Sequence, residues 1–325
     1  MIEVSSMRAC WIAACTIACV FFVVSKSATA QEALFESKRI TERDKFGPHI
    51  EGPAVDAAGN LYVPNFGQDG TIGKLAPGAS EFELFTTLNP PPTPAKIRIG
   101  NGIRFDRQGR MYIADFNRHN VFVIEPGERT PQLYFTSGDF HQPNDLAIAA
   151  DGTLYASDPP APGRIWRITR GPDGKGHGKI MSSSRTMGTT NGLDLSPDGK
   201  TLYVSESNTR QLWSYRIDGN KLRDHKLVTK FEVSPKSEVD GLRTDLDGRI
   251  FLARPSAGNI AIITITPGGT QVREVPTIGK EPTNLTFGGP DGKTVFVTQK
   301  DGLFIESFRT DRPGREPCLQ VPAKC

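Results

Sequence analysis

The chain has 325 residues, among them 33 Gly and 25 Pro, a formal net charge of +3 and 37% apolar residues. So much Gly and Pro excludes a long-helix or coiled-coil protein, because both interrupt helices. The small charge gives no reason to expect a nucleic-acid partner or an anionic membrane surface.

Residues 1–30 read as an export signal. A mostly apolar stretch at 9–24 follows Arg8, and Ala28-Thr29-Ala30 forms a cleavage site before Gln31. The stretch is short for a spanning helix, and Met7 is an alternative start to Met1. The expected mature protein, 31–325, is periplasmic or secreted, with no membrane attachment after cleavage. Three cysteines, Cys10, Cys15 and Cys19, leave with the signal. Cys318 and Cys325 remain, and in an oxidising compartment they are expected to pair.

A segment at 33–40 comes next, and then six copies of one phrase. Each copy has a polar anchor, a few mostly apolar residues, a Gly and a β-rich run. The anchors are Glu51, Asn101, Asn144, Asn191, Asp240 and Asn284. A Gly falls eight residues after each: Gly59, Gly109, Gly152, Gly199, Gly248 and Gly292. Each copy reads as strand, tight turn and strand, with Gly supplying the positive φ of the turn. A third apolar run follows about twenty residues after each anchor, and a fourth closes most copies. Four strands in roughly 45 residues is one blade of a β-propeller. The expected fold is therefore all-β: a single six-bladed propeller over 31–325, with a short C-terminal tail. The last copy lacks a clear fourth strand, so segment 33–40 is expected to supply it and close the ring.

In such a ring the innermost strand of each blade lines a central channel. The six anchors open those strands and should converge at one mouth. They offer two carboxylates and four amides, with no cation among them. Converging carboxylates repel unless a cation or protons lie between them. Oxygen donors suit a hard cation, calcium above all. One divalent metal ion is expected, calcium before zinc, magnesium or manganese.

Glu51-Gly-Pro, the run Asn191-Gly-Leu-Asp-Leu-Ser-Pro-Asp-Gly, Asp240-Gly-Leu, and the run from Phe287 to Thr298 resemble the gluconolactonase and regucalcin (senescence marker protein) family. The resemblance runs from about residue 45 to 300. It implies one divalent metal in the channel of a six-bladed propeller, with Glu51, Asn144, Asn191 and Asp240 at the metal and Asp240 also as general base. Asn144 would also meet the substrate, and Asn101, His141, Gln142 and Asn284 are further candidate substrate-binding residues. The family's sugar-lactone members carry an Arg two residues before the Asn matching Asn144 and a Gly two after it. Here Gln142 and Leu146 stand there, so the reading covers lactones or esters of small molecules rather than aldonolactones alone. Two alternatives accompany it. One is an organophosphate-ester hydrolase of the diisopropyl fluorophosphatase type. The other is a non-catalytic propeller that binds a ligand or protein around a structural calcium. Oligomeric state is left open.

Overall fold

A computed structural model describes residue 1 and residues 33–90, 98–232 and 238–324. The expected export signal and Cys325 lie outside the described residues. Cys318 is disulfide-bonded.

Six small antiparallel sheets follow one another along the chain, each running from an inner strand to an outer one. Blade two shows the pattern: Gly100–Phe105, Met111–Asp115, Asn120–Ile124 and Gln132–Thr136, paired in that order. The six repeat glycines all have positive φ, between 69° and 91°. They sit in the turns between first and second strands, as the repeat required.

Burial follows position in the blade. In blade five the second strand, Ile250–Arg254, is buried at every residue. The outer strand, Gly269–Pro276, is exposed at every residue except Val275. Inner strands are covered on both faces by neighbouring blades and read as apolar runs, whereas outer strands keep a wet face. Between blades five and six, Phe251, Ile260, Ile262, Leu285, Val295 and Phe308 form one such shared core.

Ring closure follows the expected route. Lys38–Arg39 pairs antiparallel with Phe304–Arg309, as the outer strand of blade six. Blade four departs from the four-strand rule, because Ser182–Ser183 adds a fifth strand parallel to Lys221–Lys230.

The tail is more than a short extension. It forms a helix, Arg315–Gln320, and a 3-10 turn, Pro322–Lys324. Leu319 packs into the core between blades two and three. Gln320 donates to the Val55 carbonyl of blade one, Arg107 of blade two to the Leu319 carbonyl, and Arg315 to the Ile148 carbonyl of blade three. These partners lie four to six residues beyond the anchors, along the inner strands or just past them. At about 3.3 Å per residue, the helix lies across the channel end opposite the anchors. No described helix is long and apolar enough to cross a membrane.

Candidate functional site

The anchors open one cavity of about 260 Å³ at the channel mouth. Glu51, Asn101, Asn144, Asn191 and Asp240 all line it, together with His49, Phe116, Glu238, Thr283 and Lys300. A larger groove, about 650 Å³, runs along the outer strands of blades two and three. It is lined by Arg167, Lys175, His177 and Lys179 and contains no carboxylate. With no carboxylate and three cationic side chains, it cannot match the axial cavity as a cation site.

Close packing explains the residue after each anchor. A Cβ on Gly52 would lie 2.8 Å from Gly102 Cα, and one on Gly192 would lie 2.7 Å from Gly241 Cα. The inner strands approach so tightly at these glycines that a side chain is excluded, which leaves the neighbouring anchor to face the mouth. Asp145 occupies the corresponding place in blade three. A Cβ on Gly102 would lie 2.7 Å from its carboxylate.

The sixth place at the cavity belongs to Thr283, not Asn284. Asn284 is fully buried one layer deeper, level with Asp145. The Gly288-Gly289-Pro290-Asp291-Gly292 turn is the reason. Counted from Thr283, Gly292 is the ninth residue, so this copy holds one residue more than the others. His141 and Gln142 also stand outside the cavity lining. Their backbone N–H groups donate to the Asp158 carboxylate at 3.3 and 2.9 Å, which fixes their loop. The repeat did not single out His49, Phe116, Glu238 and Lys300, because they lie on loops outside the repeated phrase.

Four oxygens in this mouth have no hydrogen-bond partner in the protein: Oδ1 of Asn101, Asn144, Asn191 and Asp240, each buried. A buried acceptor left unsatisfied costs about 1–3 kcal/mol. Four at one spot are a preformed set of oxygen donors. Asn191 shows how such an oxygen is aimed. Its Nδ2 donates to Ser207 Oγ at 2.9 Å, and that hydroxyl in turn donates to the Val239 carbonyl at 2.7 Å. Ser205 Oγ likewise donates to the Asp240 carbonyl at 2.7 Å and holds that backbone.

The carboxyls are held well away from their usual range. Burial raises Glu51 well above ordinary, and the charges of Asp240 and Asp145 add to it. Burial raises Asp240 to about 8, with Glu238 and Asp145 adding, against the opposing pull of the Asn191 amide and Lys300. Burial also raises Asp145 to about 6, although Arg104 opposes it. Three crowded carboxyls that resist ionisation are the electrostatic signature of a site completed by positive charge. Among the described residues no three His, Cys, Asp or Glu side chains are grouped to hold a metal. The donor set at the mouth is a different one, two carboxylates and three amides. Its hard oxygens fit calcium better than zinc.

Below the mouth the channel is filled by charge. Arg104 and Arg243 stand three residues past the anchors of blades two and five, each 1% exposed. Both contact Asp145, at 2.7 and 2.9 Å. Glu316 of the C-terminal helix approaches the same two guanidinium groups, at 2.8 Å from Arg104 and 3.9 Å from Arg243. On the same helix, Arg315 pairs with the buried Asp194 of blade four at 2.6 Å.

The fold and its mouth define a six-bladed β-propeller with a polar, acid-bearing cavity on its axis. Residues 91–301 match the family described as SMP-30/Gluconolactonase/LRE-like region. The chain belongs to that family. It is 24% identical to the gluconolactonase of Zymomonas mobilis over 278 residues, covering 76% of this chain and 75% of that protein. It is also 24% identical to the diisopropyl-fluorophosphatase of Loligo vulgaris over 289 residues, covering 83% and 91%. The solved structure of a calcium-binding protein, regucalcin, from Agrobacterium tumefaciens superposes with a TM-score of 0.68 at 16% identity, covering 86% of this chain and 95% of that one. At that identity the likeness is one of fold.

Proposed function

We propose that the protein is a divalent-cation-dependent hydrolase of a lactone or ester, with Glu51, Asn144, Asn191 and Asp240 holding the cation, calcium by preference. The observation that carries this reading is the set of unpartnered oxygens of Asn144, Asn191 and Asp240, facing one cavity beside Glu51. When bound, the cation supplies Lewis-acid polarisation of the substrate carbonyl and acidifies water.

The protein's own groups do the rest. Asp240 takes the proton of the attacking water as general base. Asn101 and Asn144 orient the substrate at the cavity wall. Asn191 has one amide proton committed to Ser207, so its contribution is its oxygen. Phe116 and Pro255 supply the apolar part of the lining, and Lys300 the cationic part. The cavity volume suits a small molecule.

Cleavage of a phosphorus ester is the second reading. The longer match to the diisopropyl-fluorophosphatase of Loligo vulgaris favours it, as does Gln142 standing where the sugar-lactone members carry an Arg. We propose in addition that the protein works in the periplasm or after secretion, a reading supported by the leader-like 1–30 and the disulfide at Cys318. A panel of lactones, carboxylic esters and phosphotriesters, assayed with and without chelator, tests the proposal. Chelator-sensitive turnover of a lactone or ester is expected. Turnover of phosphotriesters alone selects the second reading, and no turnover of any of them overturns both.

A further inference from the structure

The C-terminal helix lies beyond residues 91–301, the part matched by the family, yet it reaches the channel axis. Its Glu316 is 8% exposed and faces two guanidinium groups from blades two and five. Those groups clamp both oxygens of Asp145: Arg104 donates to Oδ1 at 2.7 Å, and Arg243 to Oδ2 at 2.9 Å. Asp145 Oδ2 also accepts from Asn284 Nδ2 at 3.4 Å, and the same amide nitrogen donates to Glu51 Oε2 at 3.4 Å. An unbroken line of contacts therefore runs from the tail to the mouth. Glu316 and Asp145 together balance Arg104 and Arg243. Without Glu316, two buried guanidinium groups would have one carboxylate to balance them, and their uncompensated charge would shift Asp145 from the position in which it holds Asn284.

Building on the cation site proposed above, we infer that Glu316 is a positioning residue for that site, fixing Glu51 through the Arg104–Arg243 pair, Asp145 and Asn284. The tail is then part of the site's support rather than an appendage. Residues that hold ligands in place commonly change metal affinity by about 10- to 100-fold when removed.

Calorimetric titration of the full mature chain with calcium chloride tests this, using wild type, Glu316→Gln and Asp194→Asn. Asp194→Asn breaks the other buried ion pair of the same helix and serves as the control for simple loosening. Glu316→Gln is expected to weaken calcium binding about tenfold or more. Asp194→Asn is expected to lower the melting temperature while leaving the calcium affinity within about twofold of wild type. Wild-type affinity in Glu316→Gln, or equal weakening in both variants, would overturn the inference while the cation site stands. Absence of calcium binding in wild type would remove the site itself, and the inference with it. Should Glu316→Gln fail to fold, Glu316→Asp carries the test: a loss of affinity of about threefold or more supports the inference, and wild-type affinity overturns it.

Discussion

Asn191 Nδ2 donates to Ser207 Oγ at 2.9 Å, and this one bond turns the Asn191 carbonyl oxygen toward the channel mouth. Ser207 is itself anchored on the Val239 carbonyl, next to Asp240. A hydroxyl outside the donor set thus orients one donor and braces the backbone of another. Ser207→Ala should cost about 1 kcal/mol of stability and weaken calcium binding severalfold. Denaturant melts and a calcium titration check both effects. Unchanged affinity would show that Asn191 is aimed by other contacts.

Asp240→Asn should remove hydrolysis by about 10²-fold or more, since it deletes both the base and a charged donor. The fold should survive, because the substitution removes a charge that burial already disfavours. In chelator the variant should melt no lower than wild type. Undiminished turnover would move the general base elsewhere.

The raised carboxyls give the metal-free protein a definite pH dependence. Asp145 and Asp240 lose their protons near pH 4 in the unfolded chain, but only near pH 6 and pH 8 in the fold. Across that window the fold binds more protons than the unfolded chain, so its stability falls as pH rises. In chelator, the melting temperature should be lower at pH 8 than at pH 5. Calcium should remove most of the difference at pH 8, because it replaces the protons. A melting temperature that rises from pH 5 to pH 8 in chelator would contradict this account of the mouth.

Arg315→Ala leaves Asp194 as a buried carboxylate without its cation, although Thr244 still donates to it. Removing one partner of a buried pair costs about 3–5 kcal/mol. Urea unfolding should show the unfolding free energy lowered by that amount. A shift under about 1 kcal/mol would mean that the helix is not held at the axis by this pair.

The repeat made the ring legible, because each blade needs a positive-φ Gly at one fixed place and an apolar pattern around it. Five of six anchors line the cavity for the same reason. Asn284 stands one layer deeper than the repeat predicts, because one extra residue in its turn shifts the register, and the spacing to the Gly does not reveal where the extra residue sits. The helix Arg315–Gln320 was missed because it is short and stands among prolines. Glu316 and Arg315 carry no local pattern that would mark them as axial. Their partners, Arg104, Arg243 and Asp194, come from three different blades, and only the closed ring brings them together.

Glu51, Asn144, Asn191 and Asp240 are proposed to hold one divalent cation at the channel mouth. A crystal structure of the protein grown with calcium is the decisive experiment. One strong anomalous peak is expected on the axis, about 2.3–2.6 Å from oxygens of those four residues. A mouth without such a peak at saturating calcium, or a cation bound only elsewhere on the ring, would contradict the proposal.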